Sequence, residues 1–263
     1  MITLSFKEQV AHVTLSRPQK RNALNYEMFK QLDKAIKSIK KRKDIRAVIL
    51  NAQGQDFCSG LDVKGVMAKP RQVLSLLFKW LPGNQNLAQR VTLGWQSLNV
   101  PVIALIQGRC WGGGMQIALG ADFRIATKDA SFAIMEARWG LCPDMGASLI
   151  VPGLLKADDY QRLALTAQPI EASEAHRLGL ISALEENPMA AAQQLIADIS
   201  ERSPDAMAAI KRLTTSAYRQ GHRRQLAKET WSQIRLLMCK NTRIAIKNAS
   251  SDKHYDYQDR RSW

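Results

Sequence analysis

Between Val100 and Leu119 the chain runs from an apolar segment of strand length, Val100-Pro-Val-Ile-Ala-Leu-Ile106, to a segment apolar at helical intervals, Met115 to Leu119, by way of consecutive glycines at 112 to 114. Glycine has no Cβ, so such a run lets the backbone turn tightly and lets a neighbour or ligand approach the main chain. A strand that enters a helix this way leaves N–H groups without intrahelical partners at the positive end of the helix dipole. That geometry suits a polarised carbonyl or an enolate oxygen. The structural alternative is that the glycines only let helix and strand lie close together.

The rest of the chain fits an α/β order with parallel crossovers. Strand-like runs at Ile2 to Phe6, Val10 to Leu15, Ala47 to Leu50, Val102 to Ile106 and Phe123 to Ala126 alternate with helical patterns at Tyr26 to Lys40 and Met115 to Leu119. From Ala172 onward the pattern is almost wholly helical, at Ala172 to Leu178, Pro188 to Glu201, Pro204 to Tyr218 and Arg223 to Cys239. With 263 residues, 46% of them hydrophobic, and no Gly/Ser/Pro-rich linker, the chain can bury one large core. We expect a core with the active site over residues 1–190 and a helical region and tail over 191–263.

A second polar loop, Ala52-Gln-Gly-Gln-Asp-Phe-Cys-Ser-Gly60-Leu61-Asp62, leaves the strand pattern Arg46 to Asn51. The two glycine loops can each supply one N–H to a common oxygen. An oxyanion hole needs such converging donors, each contributing about 3–4 kcal/mol in mutagenesis of comparable sites. Beyond the glycines stand Gln116, then Glu136 twenty residues on and Asp144 eight residues after that. Gln116 cannot accept a proton near neutral pH, so it can orient a water or a substrate but cannot act as a general base. One amide and two carboxylates favour proton relocation over water activation by two acids.

Leu15-Ser-Arg-Pro-Gln-Lys-Arg-Asn-Ala-Leu-Asn25, Phe57-Cys-Ser-Gly60-Leu-Asp62, Pro101 to Gly114 with Ala121-Asp-Phe-Arg-Ile-Ala126, Phe132 to Gly146, and Ala172-Ser-Glu-Ala-His-Arg-Leu-Gly-Leu180 together resemble the enoyl-CoA hydratase/isomerase, or crotonase, superfamily over residues 1–250. The resemblance implies a ClpP/crotonase-like fold of repeated ββα units with a C-terminal helical region. It implies an oxyanion hole from the N–H groups of Leu61 and Gly113, flanked by Gly60 and Gly112. The substrate would be a coenzyme A thioester, whose adenine lies against Ala23, Leu24 and Ser59; Gln116 and Trp139 would also contact substrate. No prosthetic group and no metal are expected.

Hydratases of the superfamily use two glutamates to hold and deprotonate water, and these positions correspond to Gln116 and Glu136. Dienoyl-CoA isomerases carry a glutamate and an aspartate at the spacing of Glu136 and Asp144, and also an acid at the position of Gln116. The similarity favours Glu136 and Asp144 as a proton-shuttling pair in an isomerase of enoyl- or dienoyl-CoA thioesters. The alternatives are a hydratase in which Gln116 positions water, and an acyl-CoA- or RNA-binding protein that has lost chemistry. Each carboxylate also has a structural reading: Asp144 as the cap of a helix starting near Met145, and Glu136 as a partner of Arg138. The apolar residues Phe132, Ile134 and Trp139 are expected to be buried around Glu136 and to raise its pKa. A dehalogenase similarity is weak, since Trp139 is offset from the pattern and residues 64–100 contain no histidine. His12, His176, His222 and His254 are scattered outside the glycine loops.

Residues 65–95, with Met67, Leu74, Leu76, Leu77, Phe78, Trp80, Leu81 and Leu87, resemble the variable region that shapes the acyl pocket. Cys58, Cys110, Cys142 and Cys239 have no CxxC or metal-ligand spacing, and Cys58 and Cys110 read as small core fillers. No stretch has the character of a signal peptide or a membrane span, so a cytoplasmic setting is expected. The formal charge of +15 concentrates in Lys37 to Lys43, Lys211-Arg212, Arg219 to Arg224 and Arg260-Arg261. It suits a solvated surface that steers anionic thioesters or contacts their phosphates; nucleic acid is not expected as a partner. The resemblance implies a homotrimer or hexamer. The polar tail from Ser251 to Trp263 can be docked or disordered.

Overall fold

The computed structural model describes residues 1–217, 221–250 and 253–262. Tyr218, Arg219, Ser251 and Trp263, which belong to segments considered above, lie outside the described residues, as does the side chain of His222. The order is β1 (Ile2–Lys7), β2 (Val10–Leu15), α1 (Tyr26–Lys41), β3 (Ala47–Ala52), α2 (Val63–Met67), α3 (Pro70–Leu77), α4 (Leu87–Gln96), β4 (Val102–Ile106), β5 (Arg109–Trp111), α5 (Gly113–Leu119), β6 (Phe123–Ala126) and β7 (Ser131–Ala133). There follow α6 (Ala157–Thr166), β8 (Ile170–Glu171), α7 (Ala172–Arg177), β9 (Ala183–Leu184), α8 (Pro188–Ser200), α9 (Pro204–Ala217), α10 (His222–Leu237) and α11 (Lys240–Ser250).

The main sheet has the order β1-β2-β3-β4-β6-β9, antiparallel at β1-β2 and parallel elsewhere. Strand β4 reads as an unbroken apolar run because both of its faces are covered. Val102, Ala104 and Ile106 point into the main core with α1 and α4, while Ile103 and Leu105 join Val10, Ile49 and Ile125 under Ala192, Leu195 and Ile196 of α8. Helix α8 therefore closes the second face, and the expected boundary at residue 190 falls within it. Helix α1 starts where Asn25 accepts the Met28 N–H, a side-chain N-cap, and buries Met28, Phe29, Leu32, Ile36 and Ile39 on one face.

The structure adds a second sheet, β5-β7-β8, that the sequence pattern did not suggest. Its strands have two or three residues, too short for any period to show. Strand β5 stands between β4 and the glycines, so the junction inferred between the Val100–Ile106 run and a helix is in fact made by β5 entering α5. This short strand carries one glycine loop to the other: Cys58 N–H donates to Arg109 O and Trp111 N–H donates to Cys58 O, a parallel bridge.

Two of the basic residues read as surface are interior. Lys211 of α9 donates to the carbonyls of Trp95 (2.9 Å) and Val100 (2.8 Å) and pairs with Asp122 at 2.6 Å. Arg260 is buried and donates to Arg42 O. The described part of the tail is docked: Gln258 N–H donates to Asn241 Oδ1 and Arg261 N–H to Asp205 Oδ1. Among the described residues no helix is long and apolar enough to cross a membrane.

Candidate functional site

The first glycine loop is fixed from below by the β2–α1 connection. Fully buried Asn22 donates to the carbonyls of Gln53 and Asp56, each at 2.8 Å, and accepts the Arg17 N–H. Arg17 in turn donates to Ala23 O and to Asp62 Oδ2, and Asp62 caps the Gly65 N–H. Asp56 accepts the Arg109 N–H and so holds the start of β5. These are the anchors that the sequence reading did not assign; their signal was a cluster of Arg, Asn and Asp in turn segments, whose partners lie about thirty to fifty residues away. Asn22→Ala is expected to cost about 1–3 kcal/mol, since it removes the donor of the buried Asp56 carbonyl and of the part-buried Gln53 carbonyl; a fall in the urea midpoint at unchanged slope checks it.

The loop then runs beside Leu24, whose N–H donates to Gly60 O and whose carbonyl accepts the Asp62 N–H. In such a parallel bridge the intervening Leu61 N–H points the other way, and it finds no acceptor among the described residues. It faces α5. A Cβ placed on Gly113 would lie 3.9 Å from Leu61 N, and one on Gly60 would lie 3.1 Å from Trp111 O, so the loops meet backbone to backbone. Gly60 (φ +98°) and Gly112 (φ +50°) both hold positive-φ conformations that favour glycine. Gly113 is the first residue of α5, so its N–H has no intrahelical acceptor.

A cavity of about 510 Å³ opens at this meeting point. Ser59, Gly60, Leu61, Gly112, Gly113, Glu136, Trp139 and Asp144 line it, and Phe29, Val66, Val73, Leu76, Ala88 and Met145 make an apolar wall. Region 65–95 thus supplies the wall through α2, α3 and α4, although Leu74, Phe78, Trp80 and Leu81 are exposed. Arg21, Arg109 and Arg138 also border the cavity. The lining includes none of Ala23, Leu24 and Gln116: the Leu24 side chain is wholly buried beneath Gly113, Ala23 offers its carbonyl to Arg17, and Gln116 is buried within α5.

Glu136 sits in a short 3₁₀ turn, Glu136–Trp139, among buried Phe132 and Ile134. Trp139 is not buried as expected but 58% exposed, because the turn ends in a left-handed Gly140 at the surface. Glu136 does not pair with Arg138. Its Oε1 accepts a hydrogen bond from Gln116 Nε2 at 2.6 Å, and its buried Oε2 has no partner among the described residues. Burial raises the Glu136 pKa, the Gln116 bond opposes that rise, and the charge of Asp144 adds to it. Asp144 does not cap a helix: the following turn, Ala147–Leu149, begins after Gly146 with no side-chain cap. Burial raises its pKa also.

Cys58 and Cys110 are the core fillers expected. Both are fully buried, burial pushes the Cys58 thiol up to about 12 and Cys110 well above its usual value, and Cys58 Sγ donates to Asn22 O. A Cβ on Gly114 would fall 2.5 Å from Cys58 Cβ, which explains why small residues meet there. Among the described residues no cluster of His, Cys, Asp and Glu is placed to hold a metal ion.

Residues 5–246 match the family described as enoyl-CoA hydratase/isomerase. An enoyl-CoA hydratase of Mycobacterium tuberculosis is 35% identical over 76% of this chain and 74% of its own length. The mitochondrial Δ(3,5)-Δ(2,4)-dienoyl-CoA isomerase of Rattus norvegicus is 32% identical over 77% of this chain and 64% of its own. A crystal structure of an enoyl-CoA hydratase from a Polaromonas species superimposes with a TM-score of 0.86 at 26% identity, covering 98% of this chain and 99% of that one.

Proposed function

Because the chain belongs to the enoyl-CoA hydratase/isomerase family, we propose that it moves double bonds in an acyl-CoA thioester, with a 3,5-dienoyl thioester as the preferred class. The observation that carries this reading is the direct 2.6 Å contact between Gln116 and Glu136. A water held between those two side chains would need two hydrogen bonds of about 2.8 Å each in place of one. The site therefore suits a reaction without water, and Asp144, on the same cavity wall, is the second proton carrier.

In this reaction the thioester oxygen sits between the N–H groups of Leu61 and Gly113. One carboxylate removes a proton from C2; the C–H electron pair enters the conjugated system and the charge moves to the thioester oxygen, where the two donors stabilise it. The charge then returns through the chain, the carbonyl re-forms, double bonds appear at C2 and C4, and the other carboxyl delivers a proton to C6. One proton leaves and one arrives, so the atoms balance with no cofactor. Coenzyme A enters only as part of the substrate.

Exposed Leu226, Trp231, Ile234, Leu237 and Met238 on and just beyond α10 support a homotrimer or hexamer built on the C-terminal helices. The reaction is tested by incubating the protein with 2-enoyl, 3-enoyl and 3,5-dienoyl-CoA in heavy water and following products by mass spectrometry. Double-bond migration with deuterium uptake and no hydration is the expected result. Rapid hydration without migration would overturn it.

A further inference from the structure

Gln116 is the residue by which this site departs from both the hydratase and the isomerase patterns. It lies in the middle of α5 and is 2% exposed, so both ends of its amide need partners inside the protein. One partner decides the orientation of the other. The Met145 N–H can only donate, so the amide oxygen must face it, at 3.0 Å, and the NH₂ group must face Glu136. Gln116 thereby ties the turn that carries Glu136 to the loop that carries Asp144 and Met145. The two carboxyl-bearing segments share one buried clamp.

The consequence falls on the two oxygens of Glu136. Oε1 accepts the amide hydrogen at 2.6 Å, while Oε2 is buried and has no partner among the described residues. A buried carboxylate oxygen without a donor disfavours the charged form, and the Gln116 bond at Oε1 opposes the resulting rise in the Glu136 pKa. We infer that Gln116 is the positioning residue of the site: by tying Glu136 Oε1 to the Met145 backbone, it fixes the carboxyl at the cavity wall and holds the turn of Glu136 against the loop of Asp144. This rests on the proposed proton transfer at Glu136. A glutamate at 116 could make the same contact only by sharing a proton with Glu136.

Two variants of the full chain test it, Gln116→Met, which removes donor and acceptor at similar length, and Gln116→Glu, which keeps an acceptor for the Met145 N–H and serves if the methionine variant does not fold. The readout is the titration of the Glu136 carboxyl by infrared difference spectroscopy without substrate, assigned by its loss in Glu136→Gln. The other groups around Glu136 are Asp144, Cys142 and Arg138 of its own segment, Arg109 of β5 and Tyr160 of α6, and neither substitution alters them. In Gln116→Met the carboxyl is expected to titrate higher by about one to two pH units, because a hydrogen bond to the charged form is lost. In Gln116→Glu the pair is expected to share a proton and titrate in two separated steps. With substrate, kcat should fall in Gln116→Met with KM nearly kept. An unchanged titration in both folded variants overturns the positioning role. Since the titration uses no substrate, a protein that fails to isomerise dienoyl thioesters but shows the shift loses the proposed reaction and keeps the clamp; turnover with no shift does the reverse.

Discussion

Glu136→Gln is expected to lower kcat for double-bond migration by about 10²- to 10⁴-fold, the usual contribution of a positioned general acid or base. The change is nearly isosteric and leaves the cavity and the N–H groups of Leu61 and Gly113 in place, so thioester binding should persist. Measuring kcat and KM separately checks this, and full turnover in the variant would sink the assignment. Asp144→Asn should act similarly, because the proposed reaction needs one carboxyl ionised and its counterpart protonated. The rate should accordingly fall in acid, where both are protonated, and in alkali, where both are ionised. Burial raises both groups and the Asp144 charge further opposes ionisation of Glu136. The optimum should therefore lie above the ordinary carboxylate range of about 4, and a pH profile centred there would contradict the burial of the pair.

The largest expected effect on stability is that of Lys211→Met. Lys211 joins α9 to the main sheet through Asp122, Trp95 O and Val100 O, while Asp122 Oδ2 also accepts the Val102 N–H at 2.7 Å. Removing the cation leaves a mostly buried carboxylate and two carbonyls without their donor, which should destabilise the protein by about 3–5 kcal/mol. Urea unfolding of the two proteins checks it. Adding Asp122→Asn to the variant should recover part of the loss, because a buried ion pair is weak as a unit and strong only against removal of one partner. A loss under about 1 kcal/mol would mean that water reaches this junction.

The main strands and helices were legible where a long segment kept one period. Strand β4 announced itself as a branched apolar run because both faces are covered, and α1 by its helical pattern from Tyr26 to Lys40. Strands β5, β7 and β8 were not legible, being too short for a pattern and made by pairing with distant segments. The same limit applied to side chains. Lys211 and Arg260 stood in runs of charge that read as solvated surface, yet each reaches inward to carbonyl oxygens that sequence neighbours do not provide. Trp139 read as buried because its neighbours are, but the turn that carries it ends at the surface.

By itself the sequence determined the family, the two glycine loops and the order of Gln116, Glu136 and Asp144, because these rest on residue type and spacing. The absence of a Cβ at Gly60 and Gly113 and the lack of a basic atom on Gln116 are properties of single residues, readable without a fold. Only the tertiary structure decided that Leu61 and Gly113 approach each other across the Cys58 and Cys110 bridge. It alone set Asp144 in the cavity wall, and Gln116 between Glu136 and the Met145 backbone. Those facts depend on hydrogen bonds between segments twenty to fifty residues apart, whose direction is fixed when the chain closes and is written in no local pattern.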